Sequence, residues 1–322
     1  MKLITILIPA YNEEAVIEQF FNKVTSILDS IDNYQFELLF VNDGSKDKTI
    51  DIIKGLQLYD TRISYLDLSR NYGKETAMAA GFDFAKGDAV IIMDADLQHP
   101  PEVIEEMIYY WEQGYDDVYA RRVERDGEPW LKRATSKIYY RMLQKVTNIP
   151  ILPDVGDFRL LDQKCVNALK QIRESQRYTK GMYSWIGFKK KEILYEAAPR
   201  AGGETKWNYF KLLELAVEGI TSFTTFPLRI STFLGFFISL LSFIYLSFIV
   251  IKTVLFGSDV SGYPSTMAII LFLGGIQLLS LGIIGEYLGR IFTETKNRPL
   301  YFVQEYNNQK EMQSIYEKQR TI

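Results

Sequence analysis

Ala89-Val-Ile-Ile-Met-Asp94-Ala-Asp96-Leu-Gln-His-Pro-Pro101 carries the clearest structural signal in the chain. Its first five residues are apolar without interruption, which suits a short strand buried on both faces. The chain then turns polar at once, and the proline pair opens a helix. A buried strand, a polar turn and a helix make the repeating step of a parallel α/β sheet. The same step occurs three times upstream. Residues 4–8, 36–42, 63–68 and 89–93 read as strands, and 13–31, 47–58, 74–85 and 101–111 as the helices between and after them. This rhythm predicts βαβ crossovers and a mainly parallel, Rossmann-like sheet covered on both sides. Ligands of such sheets bind beyond the carboxyl ends of the strands, so the polar turns there are the candidate site. No Gly-x-Gly-x-x-Gly follows the first strand, which counts against a dinucleotide fold.

The 322 residues hold one large α/β domain with room for more. A formal net charge of −3 gives no mark of a nucleic-acid binder, and no such partner is expected. One cysteine, Cys165, excludes an internal disulfide and reads as a buried structural thiol. The apolar start, residues 3–8, is too short for a signal peptide, so the first domain is expected in the cytosol. Between 121 and 200 the pattern is less regular and more basic, an extension of the same domain.

Residues 230–251 and 263–285 carry no charged side chain, and each exceeds the roughly 20 residues that cross a bilayer. Arg229 before the first and Arg290, Lys296 and Arg298 after the second place both ends in the cytoplasm by the positive-inside rule. Helical apolar spacing over 207–223 reads as an interfacial helix. Gly285 and Gly289 permit close helix approach and hence a homo-oligomer. The resulting division is an α/β domain over 1–205, a juxtamembrane amphipathic helix over 206–228, two transmembrane helices over 229–289 and a cytoplasmic tail over 290–322. The polar segment after Pro299 reads as helical or loose. The expected location is the cell membrane, as a multi-pass protein.

Two carboxylates one residue apart at a strand end, Asp94 and Asp96, can reach a small hard cation and its phosphate ligands. Gln98 is placed to add an amide oxygen, and Mg²⁺ or Mn²⁺ fits that donor set. His99, the single histidine, reads as a positional residue. Pro9, Tyr11 and Glu13 after the first strand offer a rigid turn, an aromatic face and a carboxylate, a combination that suits a nucleoside. Asp43 adds a carboxylate to that edge, and Gly44 lets the backbone turn closely.

Taken together, Ile8-Pro-Ala-Tyr-Asn-Glu-Glu14, Val41-Asn-Asp-Gly-Ser45, Asn71-Tyr-Gly-Lys74 and Asp94-Ala-Asp-Leu-Gln98 resemble family-2 glycosyltransferases with a GT-A fold. More narrowly, the chain is similar to polyprenyl-phosphate glycosyltransferases related to dolichol-phosphate mannose synthase. The subgroup that attaches glucose or N-acetylglucosamine to bactoprenol phosphate is similar through both C-terminal spans. The resemblance implies an inverting transfer from a UDP-sugar to a polyprenyl phosphate at the bilayer. It puts Asp43 on the nucleotide base, Lys74 in the nucleotide-sugar site, and the metal on Asp94, Asp96 and Gln98. Asp157, in Asp154-Val-Gly-Asp-Phe-Arg159, takes the position of a base or orienting residue, with both roles open. Arg122, Arg133, Ser136, Arg200 and Lys206 are implied contacts to the acceptor phosphate. The resemblance leaves open whether Arg121 or Arg122 holds its position. The rival readings are a processive polysaccharide synthase and a non-catalytic membrane component. The first expects Gln-x-x-Arg-Trp, which Gln176-Arg177-Tyr178 does not match.

Overall fold

A computed structural model describes residues 1–123, 155–196, 226–256 and 262–307. Arg133, Ser136, Arg200, Lys206 and the amphipathic segment 207–223 lie outside the described residues. The four predicted strands are present as β1 (Lys2–Ala10), β2 (Tyr34–Asn42), β3 (Ile63–Leu68) and β4 (Ala89–Ile92). They alternate with α1 (Ile17–Leu28), α2 (Thr49–Tyr59), α3 (Lys74–Phe84) and α4 (Val103–Glu112). All pairings among the four strands are parallel. Ile4, Ile6 and Ile8 share a core with Phe20 and Val24 of α1, Ile53 of α2 and Met107 of α4. Leu7 faces the other way, against Gly81 of α3, where any Cβ would collide with the leucine methyls. Each such fully buried leucine, isoleucine or phenylalanine contributes about 1.5–3 kcal/mol.

The first helix starts at Ile17, four residues later than its sequence pattern suggests. The backbone there is committed elsewhere: Asn12 has φ +56°, and the Glu13 and Glu14 amides donate to Thr49 Oγ1 and Asp47 Oδ2.

Beyond β4 the chain adds β5 (Asp117–Arg122), β6 (Val155–Asp162), α5 (Gln163–Gln171), α6 (Thr179–Trp185) and β7 (Lys190–Tyr195). The sheet order is β7-β5-β6-β4-β1-β2-β3-β8, where β8 is Val303–Tyr306. Strands β2 and β3 run outward on one side of β1 and β4 on the other, so the switch point lies between β1 and β4. β6 is antiparallel to β4, with Ala89 opposite Asp162 and Ile92 opposite Arg159. Carrying that register on past Ile92 sets Asp94 opposite Asp157.

A second unit, 214–298, contains α7 (Phe226–Phe256) and α8 (Tyr263–Thr295), packed on one another. Phe233, Phe236, Phe243, Phe272 and Leu278 are exposed on them, an apolar surface out of place in water. Among the described residues, Phe272–Thr295 is long and apolar enough to cross a membrane. The segment after Pro299, read from sequence as helical or loose, is instead partly a strand of the first unit. β8 pairs antiparallel with β3, Ser69 N donates to Phe302 O at 3.0 Å, and Glu305 accepts from Lys54 and Tyr65 at 2.6 Å each. Tyr301 donates to Asp83 at 2.6 Å, and Asp83 also holds Arg173. A polar segment forms this strand because it lies at the sheet edge, where alternate side chains meet solvent.

Candidate active site

The loops after β1 and β2 are stapled together. Asn12 N donates to Ser45 Oγ (3.0 Å), Lys46 N to Asn12 Oδ1 (2.8 Å) and Lys48 N to Glu14 Oε2 (3.0 Å). Pro9 lies opposite Val41 in the β1–β2 pairing, which ends one residue later with Ala10 opposite Asn42, and Tyr11 keeps 39% exposure, leaving its ring accessible. Asp43 is buried, and its two oxygens accept from Tyr72 N (2.7 Å) and Gly73 N (2.9 Å). Burial pushes its carboxyl above the ordinary range, partly offset by those two amides. It therefore shapes the loop after β3. Gly44 makes that loop's approach possible: it has φ +61°, and a Cβ there would lie 2.7 Å from Arg70 Cα and Asn71 N. Gly44→Ala is expected to cost about 3 kcal/mol through strain and collision. Thermal unfolding of the purified protein checks this; an unchanged Tm would contradict the close approach.

At the end of β4, Asp94 N donates to His99 Nδ1 at 3.1 Å. The buried His99 ring stacks on Phe158 with centroids 4.6 Å apart and 9° between planes. Burial lowers its pKa, so the ring is neutral at pH 7 with its proton on Nε2. The histidine thus sets the turn, as the sequence suggests. Leu97 has φ +60°, and Gln98 N donates to Asp96 Oδ1 at 3.1 Å, closing the turn around the second carboxylate.

Lys74, the first residue of α3, joins the two halves of the site. Its Nζ lies 2.7 and 2.8 Å from the two oxygens of Asp94 and 3.0 Å from Asp157 Oδ2. Asp157 is 8% exposed, and its Oδ1 is buried with no hydrogen-bond partner among the described residues. Burial alone would raise the Asp157 carboxyl. Lys74, Lys180 and Arg159 outweigh it and hold the group below its ordinary value. Burial disfavours the Lys74 ammonium, but Asp94 and Asp157 reverse this and hold it above its ordinary value. Next along α3, Glu75 accepts from the Thr179 amide at 2.9 Å and from its hydroxyl, fixing the start of α6 beside Asp157.

Behind Asp157 lies a buried ion cluster. Arg159 Nη1 donates to both Asp117 oxygens at 3.0 and 3.2 Å, and Lys190 Nζ reaches Asp117 at 2.7 Å. The Arg159 guanidinium sits 3.7 Å from the Tyr183 ring centroid. Cys165 is buried, donates to Asp116 O at 3.3 Å and has its pKa raised by burial, so it is a structural thiol. At the end of β5, Arg121 pairs with Glu192 at 3.1 Å. Among the described residues Arg122 pairs with no carboxylate.

Residues 5–169 match the model of glycosyl transferase family 2, slightly more than half of the chain. The chain belongs to that family. The glycosyltransferase also matches the GtrB C-terminal hairpin over residues 226–291, which with its exposed apolar helices makes it membrane-associated. It is 49% identical over 300 residues to an uncharacterised glycosyltransferase of Synechocystis sp. (strain ATCC 27184 / PCC 6803 / Kazusa), covering 93% of this chain and 94% of that protein. It is 44% identical to the prophage bactoprenol glucosyl transferase homolog of Escherichia coli (strain K12), over 93% and 98% of the two chains. It shares the same identity with the bactoprenol glucosyl transferase of Shigella phage SfII, over 93% and 97%. The mainly parallel sheet with its strand-end site is the GT-A fold.

The glycosyltransferase's donor set suits a divalent metal. Asp94 already draws a cation, the Lys74 ammonium, and all groups on offer there are hard oxygens. No cluster of three or more metal-binding side chains occurs among the described residues. Asp94 and Asp96 would therefore hold Mg²⁺ or Mn²⁺ together with substrate phosphates. Glu75, Thr179, Lys180 and Arg159 are site residues that reading the sequence missed. For Arg159 a signal existed: it lies two residues from Asp157, on the same face of a strand.

Proposed function

We propose that the enzyme transfers a hexose, glucose or N-acetylglucosamine, from a UDP-sugar to a polyprenyl (undecaprenyl) phosphate at the cytoplasmic membrane face. The transfer inverts the anomeric centre and gives a β-linked sugar-phosphate lipid for cell-envelope glycosylation. The observation that carries this reading is the Lys74 bridge, which unites a strand-end Asp-x-Asp with an acceptor-side carboxylate. The membrane hairpin and the relatives named as bactoprenol glucosyl transferases support the lipid acceptor. Tyr11 and Glu13 after Pro9 line the nucleoside side, and Asp43 shapes the loop that closes it. Asp94, Asp96 and Gln98 hold the metal. When bound, the metal neutralises charge on the departing UDP. Arg122, Arg133, Ser136, Arg200 and Lys206 receive the lipid phosphate. Offering the detergent-solubilised protein polyprenyl phosphate, Mg²⁺ or Mn²⁺ and a panel of nucleotide sugars tests this; no glycolipid with any donor would defeat it.

The role of Asp157 follows from charge. A phosphate monoester loses its second proton near pH 6, so the acceptor is already a dianionic nucleophile at neutral pH. Asp157, held below the usual carboxylate range by Lys74 and its neighbours against the effect of burial, is a weak proton acceptor. It orients the acceptor or a sugar hydroxyl. Because its carboxyl stays ionised above the ordinary carboxylate range, it contributes no titration between pH 5.5 and 8 by that sign. The rate is expected to rise through about pH 6 with the acceptor's ionisation. Asp157→Asn should lower the plateau roughly 10- to 100-fold without moving that midpoint. A midpoint that shifts in the variant would restore the general-base role.

A further inference from the structure

Lys74 sits where a cation is needed even without substrate. Its ammonium contacts both oxygens of Asp94 and one of Asp157, with no separation beyond 3.0 Å. The extrapolated β4–β6 register explains why: two carboxylates face each other across neighbouring strands and would repel without a positive charge between them. The stem of Lys74 starts at the first residue of α3, next to Gly73, whose amide is fixed by Asp43. A four-carbon stem on a fixed base can swing its charge over several ångströms.

We propose that Lys74 is a built-in counter-cation that occupies Asp94 in the resting enzyme and yields it to the metal only when a diphosphate is present to receive the ammonium. This rests on the reading of Asp94 as a metal ligand and goes beyond it. A divalent ion arriving alone must displace Lys74 from Asp94, leaving the displaced ammonium with Asp157 as its remaining partner. A metal arriving with a diphosphate offers the ammonium new phosphate oxygens, so the displacement is compensated. Metal and nucleotide therefore bind cooperatively, and the coupling passes through one side chain.

The test is Mn²⁺ binding to the full-length, detergent-solubilised protein, read from the electron paramagnetic resonance signal of free Mn²⁺, with and without UDP. Wild type should bind Mn²⁺ weakly alone and at least about tenfold more tightly with UDP. Lys74→Met should bind Mn²⁺ alone at least about tenfold more tightly than wild type, and UDP should then add little. Lys74→Arg, which keeps the charge, should restore weak binding of the metal alone. Asp157→Asn acts in the opposite direction: with Asp157 neutral, Lys74 leans wholly on Asp94, and Mn²⁺ alone should bind more weakly. This variant keeps the test open if the methionine protein does not fold. Unchanged Mn²⁺ binding in Lys74→Met or, where that protein does not fold, in Asp157→Asn would overturn the counter-cation role. So would a shift of the same sign in both. Failure of wild type to bind Mn²⁺ even with UDP would instead overturn the underlying metal assignment.

Discussion

Asp94→Asn is expected to lower kcat by roughly a thousandfold while leaving the fold intact. The size follows from the proposed role: the carboxylate would help hold a metal that stabilises charge on the departing diphosphate, and such electrostatic stabilisation is among the largest single contributions to catalysis. The fold is spared because the Asp94 backbone amide keeps its bond to His99 Nδ1 in the variant and Lys74 keeps Asp157 as a counter-charge. Unfolding temperature and far-ultraviolet circular dichroism should therefore match wild type. A kcat within tenfold of wild type would mean that Asp94 does not serve the leaving group.

Asp117→Ala should have the largest effect on stability. Asp117 is fully buried and holds Arg159 and Lys190 through bonds of 2.7–3.2 Å. Removing it takes away the carboxylate that both cations bond to, a change that costs about 4 kcal/mol. In a chain of this size that corresponds to a Tm lowered by roughly 10 °C. Activity should fall as well, because Arg159 lies two residues from Asp157 on the same strand and helps keep that carboxylate ionised. Replacing Asp117 by Asn, which retains hydrogen-bond capacity without the charge, should give a smaller loss. A Tm unchanged in the alanine variant would show that water or neighbouring groups already compensate the two cations.

The first four strands are legible in the sequence because each is a continuous apolar run that ends at a polar turn. Leu38, Leu39, Phe40 and Val41 of β2 are all fully buried, and nothing else in the segment competes with that pattern. β5 and β6 do not read this way. Asp117-Val-Tyr-Ala-Arg-Arg122 and Val155-Gly-Asp-Phe-Arg159 place charges inside strands, tolerable because Asp117 meets Arg159 across the pair while Arg121 and Asp157 find partners on β7 and α3. Such compensation is a tertiary fact and leaves no local periodicity. β8 is hidden for another reason: Val303-Gln-Glu-Tyr306 is short and polar, and its partner β3 lies more than 230 residues earlier.

The site divides in the same way. Asp43, Asp94 and Asp96 are visible because ligands of a parallel sheet gather at its strand ends, and these residues stand in the polar turns that close two apolar strand runs. The contact between Lys74 and Asp157 is not, since it depends on an antiparallel strand inserted beside β4 in one particular register. Two motifs that appear separate in the sequence thus share one cation. The hairpin is readable from length and the absence of charge alone, and its match to a known C-terminal hairpin agrees.

The most direct measurement is the mass of the lipid product formed by the purified protein from undecaprenyl phosphate, a UDP-hexose and Mn²⁺. Wild type should yield undecaprenyl phosphate heavier by a single sugar residue, and Asp94→Asn should leave the lipid unchanged. Lipid left unmodified while the donor is hydrolysed to free sugar, or lipid carrying a growing chain of sugars, would contradict the proposed transfer.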